Sequence, residues 1–369
     1  MTRHSSSVIV LCTGFLLLLV ADAKPSAQQN SSPLRVDVNL VQLNVAVTDR
    51  HGNYISGLKP ENFRITEDNI SEKIASFEEG NGSGTFYRLD DSGGTPSGEA
   101  GPPANSPAVL TANADHRTGR PIQATTDNQI LPNPGASIFI LFDTSDYMYR
   151  GFVYAQDAIT EFVRSLDNSN RIAFYSYSRN LSRDTLLTSD RFRVIRGVRS
   201  TVAGDQAALY NSLLLTVKDA SHLTGRKAIV VFSNGPDNAS SVPPEDVAEL
   251  AQSTGTIIYI VSTRKAENEP ISTAAFERVS RATGGMAYFA RNWNEETQAF
   301  AAIRKDIAHL YTISYYPQMN PNQGWRTIHV KLVGPRMNKY HIRTRDGYRL
   351  RQFEANTTAS YFVPEPAAR

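Results

Sequence analysis

Three short polar loops hold the residues best placed to do chemistry in this chain. DTSDY at 143–147 carries Asp143, Ser145 and Asp146, AGDQAALYNS at 203–212 carries Asp205, and SNGPDN at 233–238 carries Asn234 and Asp237. Each lies at the carboxyl end of an expected strand or feeds a helix beside one. In an open α/β sheet, the crevice outside those strand ends is where ligands bind. Side chains two apart in an extended loop face the same way, so Asp143 and Ser145 share a side and Asp146 points away.

Enzyme signatures are absent from the sequence. It has no G-x-S-x-G elbow, no H-E-x-x-H, no P-loop and no G-x-G-x-x-G after a strand. His51, His116, His222, His309, His329 and His341 are scattered without ligand spacing. A carboxylate pair for glycoside hydrolysis would have to come from Glu61, Glu67, Asp68, Glu295 or Glu296. These fall in turns and helix starts, and no pattern sets two of them across one cleft.

The elements that must position the loops alternate in type. SIFILF, IAFYSYS, KAIVVFS, GTIIYIVS and GMAYFA are apolar runs of strand length, with TLLT as a short edge strand. Between them, helical periodicity covers 151–166, the arginine-rich segment 191–199, 208–220, Pro244 to Ser253, Ser272 to Ala282 and 294–310. In the arginine-rich helix, Phe192, Val194, Ile195 and Val198 form the apolar side and the arginines a solvated one. Strands buried on both faces and alternating with helices predict a doubly wound, mostly parallel sheet.

Both flanks change rhythm. Residues 34–79 read as about four short antiparallel strands. In the first, Val41, Leu43, Val45 and Val47 alternate with Leu40, Gln42 and Asn44. Residues 311–350 add about three more: YTISYYP, WRTIHVKLV and KYHIRTRDGYRL. Neither set can close a core alone, so the economical fold is one small antiparallel β-sandwich built from both ends, with the α/β domain of residues 137–310 inserted. Residues 80–136 are rich in Gly, Ser, Pro and Thr and read as a flexible linker, and 351–369 as a tail.

The start, MTRHSSSVIVLCTGFLLLLVADA, has a basic residue, an apolar run and an A-x-A site. Residues 1–23 therefore read as a secretory signal peptide, with an uncleaved anchor as the alternative. Cleavage removes Cys12, the single cysteine, and leaves no membrane span, so stability outside the cytoplasm would rest on packing alone. Arg3 and Asp22 cancel, so the net charge stays at +2, which gives no reason to expect a nucleic-acid partner.

The three loops also carry a resemblance. A strand followed by D-x-S-x-Y, close to D-x-S-x-S, a later A-L-Y helix start and an apolar strand before S-x-G resemble the von Willebrand factor type A domain, over roughly 137–310. The flanking V-T-D, F-x-I-x-E-D, Y-Y-P, R-T-I-x-V and R-x-G-Y stretches are similar to a bacterial secreted subfamily of such proteins. The resemblance implies a Rossmann-like fold and a metal-ion-dependent adhesion site. There, an Asp and two hydroxyls, a Thr and an Asp from three loops surround Mg²⁺ or Mn²⁺, and a partner's carboxylate completes the shell. Asp143 and Ser145 match that pattern. The second hydroxyl falls on Tyr147, the Thr on Ala207 and the last Asp on Asn234.

The expectation is thus a degenerate site without a cofactor. A rearranged Mg²⁺ or Mn²⁺ site using Asp143, Ser145 and Asp205 or Asp237 is the alternative. The chain is expected to be a secreted or periplasmic, non-catalytic adhesion module that binds a protein or surface polymer. A structural component of a cell-envelope complex is the alternative, and a hydrolase with an unrecognised site ranks last.

Overall fold

The computed structural model describes residues 40–80, 87–88, 135–262 and 270–350. The signal segment, residues 34–39, nearly all of the expected linker and the tail lie outside the described residues. All of the described residues fall within one unit, Val38–Arg369.

The first part of the chain forms β1 (Val41–Thr48), β2 (Phe63–Glu67), β3 (Ile70–Glu72), β4 (Ile74–Glu79) and β5 (Tyr87–Arg88). The central part forms β6 (Ser137–Asp143), α1 (Phe152–Ser165), β7 (Arg171–Tyr177), β8 (Leu181–Thr188), α2 (Arg191–Ser200) and α3 (Leu209–Ser221). It continues with β9 (Lys227–Phe232), α4 (Pro244–Ser253), β10 (Thr256–Ser262), α5 (Pro270–Ala282), β11 (Ala287–Phe289) and α6 (Trp293–His309). The chain ends in β12 (Tyr311–Tyr315), β13 (Trp325–Leu332), β14 (His341–Arg343) and β15 (Gly347–Arg349).

The central sheet runs β11-β10-β9-β6-β7-β8 and is parallel except for β8, which pairs antiparallel with β7. Every residue of β6, β9 and β10 is buried, as strands covered on both faces must be. On one face, α1, α2 and α6 pack Ile159, Phe162, Val194, Val198 and Ile303 against Ile138, Ile140 and Phe142. On the other face, α3, α4 and α5 pack Leu213, Val217, Val247 and Phe276 against Phe139, Leu141 and Val231. Phe192 lies outside the apolar stripe of α2 and is 83% exposed. At 3.6 residues per turn it sits roughly 200° round from Val194, so Val194, Gly197 and Val198 form the buried side without it.

The flanking strands make one sandwich of two sheets, β14-β1-β12-β4-β5 and β15-β13-β2-β3. Strands from the two ends of the chain interleave: β12 pairs with both β1 and β4, and β13 pairs with β2. The core between the sheets is Leu43, Val45, Val47, Ile65, Phe77, Tyr311, Ile313 and Ile328. Asp68 and Asn69 both take positive φ, which forms the two-residue turn between β2 and β3.

KYHIRTRDGYRL differs from its reading as one strand. It breaks into β14, which pairs with β1, and β15, which pairs with β13 in the opposite sheet. Thr344, Arg345 and Asp346 make the crossing. Gly347 permits the landing, because a Cβ there would stand 2.3 Å from the Arg326 carbonyl oxygen.

The polar side of β1 is engaged by the central domain. Gln42 Nε2 donates to the Gly225 carbonyl (3.1 Å) and Asn44 Nδ2 to that of Gly255 (3.2 Å), while Ala46 joins the α/β core. Gly225 and Gly255 precede β9 and β10, so the sandwich covers the amino ends of the parallel strands. The carboxyl ends and their loops lie at the opposite pole.

Candidate functional site

Three adjacent strands end at one height. In parallel register Asp143 stands beside Tyr177, and Phe142 beside Phe232, which puts Ser233 next to Asp143. Asp143 is fully buried. Its Oδ1 accepts from the Ser145 backbone N–H (2.9 Å) and its Oδ2 from Ser233 Oγ (2.7 Å). Tyr177 OH donates in turn to Ser233 Oγ (3.1 Å).

Burial pushes the Asp143 carboxyl above its ordinary range, opposed by Ser145, Ser233 and Tyr177. The Ser145 hydroxyl is close enough to favour the ionised carboxylate but outside hydrogen-bond geometry, and its Oγ is buried without a partner.

The first loop then turns away into a short 3₁₀ segment, Asp146–Gly151, that leads into α1. Asp146 is exposed, and its N–H donates to the Asp205 carbonyl (2.9 Å). Gly204 N–H donates to the Thr144 carbonyl (2.7 Å), which ties the second loop to the first. Tyr147 ties the third. Its carbonyl accepts from Asn234 Nδ2 (3.2 Å), and its hydroxyl accepts from Asn238 Nδ2 (3.4 Å). Asn238 Oδ1 accepts from the Ala207 N–H (2.9 Å), so one side chain spans all three loops.

The remaining carboxylates are engaged or turned out. Asp237 accepts from the N–H groups of Tyr210 (2.9 Å), Ala239 (3.2 Å) and Ser240 (2.8 Å). It thereby caps the start of α3 from another loop, a place where a helix needs acceptors and favours negative charge. Asp205 is exposed, and its Oδ1 accepts from the next residue's N–H (2.7 Å).

A hard divalent cation needs a near-complete oxygen shell. The residues here do not fit one. Ala207 is buried and has no donor atom, Asn234 turns an N–H toward Tyr147, and both oxygens of Asp143 already accept hydrogen bonds. The buried Ser145 hydroxyl is left over, one ligand where a shell is needed. Among the described residues, no group of three or more His, Cys, Asp or Glu could hold a metal ion.

Asp143 and Ser145 are brought together, with Tyr147, Ala207, Asn234 and Asp205 in the loops around them. Asp237 serves α3. Sequence reasoning missed the roles of Ser233, Tyr177 and Asn238. The first two were within reach, since aligning the ends of three apolar runs sets Asp143, Tyr177 and Ser233 side by side. The glycosidase candidates do not meet: Glu67 is buried in the sandwich, whereas Glu295 lies in the capping turn of Asn292 at the start of α6.

The raised Asp143 carboxyl fixes a sign. Its ionised form is disfavoured in the fold, so its penalty is absent below the ordinary carboxylate value of roughly 3.9 and grows as pH rises above it. In chelator, the stability of Asp143→Asn relative to the parent protein is expected to increase between pH 4 and pH 7, read by urea unfolding. A bound cation would reverse the trend, because it would favour the carboxylate.

Residues 137–302 match the family model of the von Willebrand factor type A domain. No curated protein sequence matches the chain. Similar solved structures include the conserved hypothetical protein BatB from Bacteroides thetaiotaomicron (16% identity, 47% of this chain and 97% of that one, TM-score 0.40). A von Willebrand factor type A protein from Catenulispora acidiphila is 13% identical over 54% of this chain and 63% of its own, with TM-score 0.39. The vWF domain of the type V pili tip protein Mfa5 from Porphyromonas gingivalis is 11% identical over 47% and 95%, with TM-score 0.40.

Proposed function

Taking residues 137–302 as a von Willebrand factor type A domain, we propose that the chain is an exported, non-catalytic binding module that engages a protein or surface polymer without a metal ion. The observation that carries this reading is the set of direct hydrogen bonds joining the three loops. Tyr147, Asn234 and Asn238 hold together what a shared cation holds together in a metal-dependent site. The loops are then ordered in advance, which lowers the entropy cost of meeting a partner.

The rim supplies the contact surface. Tyr149, Val153, Tyr154 and Val202 stand beside the loops with exposures of 75%, 62%, 67% and 81%. Gln156 fixes Val202 near α1 by donating to Val198 O (2.9 Å) and Thr201 Oγ1 (3.0 Å). Exposed tyrosines with apolar neighbours are the composition that carries binding energy in protein interfaces. Export rests on the expected signal at 1–23, and among the described residues no helix is long and apolar enough to cross a membrane.

Calorimetric titration with Mg²⁺ and Mn²⁺ tests the central point. No micromolar binding is expected, and micromolar binding that disappears in Asp143→Ala would overturn the proposal. Capture of envelope proteins should be insensitive to chelator and weakened by Tyr149→Ser with Tyr154→Ser. Capture that survives the double substitution would favour an envelope-assembly role through the sandwich instead.

A further inference from the structure

A crevice of about 530 Å³ lies at the pole opposite the three loops. It is bounded by the carboxyl ends of α3 and α4, the start of β1, and the chain from Arg345 to Leu350. Lys218, His222, Arg345 and Arg349 line it, and among the described residues no carboxylate does. Nothing in the loop site accounts for this concentration of cations.

Arg345 is the decisive residue. It is only 5% exposed, and among the described residues its Nε and Nη1 find no hydrogen-bond acceptor. The guanidinium lies over the Tyr348 ring, 5.5 Å from its centroid. The neighbouring buried carboxylate, Glu67, is already occupied by Arg326 Nη1 (2.7 Å), Tyr315 OH (2.8 Å) and Tyr348 OH (3.1 Å). Glu72 accepts from the Gln318 N–H further round the cluster.

A second buried cation, Lys227, donates to the Leu223 carbonyl (3.0 Å). Burial, and after it the charge of Arg345, pushes its ammonium down to about 8, while burial lowers Arg345 to about 10. A buried charge without a counter-ion is costly, and an anion delivered to it recovers that cost.

Opposing charge is weaker. The ends of α3 and α4 contribute partial negative charge, roughly half an elementary charge each at most. Glu249 reaches Arg349 Nε at 3.2 Å, but both side chains are about half exposed. The balance around Arg345 stays positive.

We propose that this crevice is an oxyanion-binding site that takes the carboxylate or phosphate group of a small acidic ligand against Arg345, with Lys218 and His222 at its mouth. Guanidinium groups pair with both kinds of oxyanion through charge-assisted hydrogen bonds. The site is remote from the Asp143 loops and stands whether or not those loops bind a metal.

The test uses the full chain in a phosphate-free buffer at constant ionic strength, with inorganic phosphate and citrate titrated separately and chloride as control. A saturable rise in thermal midpoint and calorimetric binding are expected with at least one probe, and the stronger probe identifies the preferred group. Lys218→Gln with His222→Gln alters exposed side chains only. This double variant should keep the midpoint measured in chloride and weaken binding at least roughly threefold. Arg345→Gln should abolish binding, and if it fails to fold, the mouth double variant decides. Absence of a saturable response to either probe, or unchanged affinity in the double variant, would overturn the proposal.

Discussion

Replacing Glu67 with alanine should remove about 3–5 kcal/mol of folding stability, a large part of what holds an ordinary domain together. Glu67 ends β2 with no exposure, and its carboxylate collects one guanidinium and two phenols inside the sandwich. Removing it strands Arg326, leaves Arg345 with still less compensation, and takes the acceptor from Tyr315 and Tyr348. Glu67→Gln keeps the volume and one acceptor oxygen but loses the charge, so a smaller loss is expected. Urea unfolding of the pair gives both values, and an alanine variant within about 1 kcal/mol of the parent would show that water reaches the cluster.

How far the sequence disclosed this fold depends on how local each signal is. β6, β9 and β10 are continuous apolar runs, and α4 opens with proline and two acids, so their periods and ends were legible. β8 runs four residues further back than TLLT, and that part left no apolar signal because LSRD is polar, as an edge strand with one exposed side tolerates. Gln42 and Asn44 show only as the polar positions alternating with the apolar side of β1, yet they bond carbonyls 183 and 211 positions away.

The site divides in the same way. Asp143 and Ser145 were visible as polar residues closing a buried strand. The role of Tyr147 was not, because it depends on Asn238, 91 positions later. The buried acid at Glu67 was equally hidden, since Arg326 lies 259 positions away. Local pattern fixes elements, whereas long-range polar pairing decides which charged residues go inside.

Asp306→Ala should cost a comparable 3–5 kcal/mol, roughly, but by a different route. Asp306 sits fully buried on α6 and accepts from Tyr54 OH (2.8 Å), Tyr259 OH (2.6 Å) and the Arg343 guanidinium. Tyr54 follows β1 and Arg343 ends β14, both in the sandwich, while Tyr259 lies in β10 of the parallel sheet. One carboxylate therefore latches the two layers to each other, and Arg343 reinforces it by donating also to the Gly284 carbonyl. Loss of the latch should uncouple the layers as well as weaken them.

The two tryptophans can report this separately, because Trp293 opens α6 and Trp325 opens β13. With Trp293→Phe and Trp325→Phe backgrounds, the parent protein should unfold at one urea midpoint by either probe, the mark of a single cooperative unit. In Asp306→Ala the two midpoints should part, with the sandwich probe moving to lower urea because that layer has the smaller core to sustain it alone. Coincident midpoints in the variant would mean that the apolar contact of Ala46, together with Gln42 and Asn44, couples the layers without the latch.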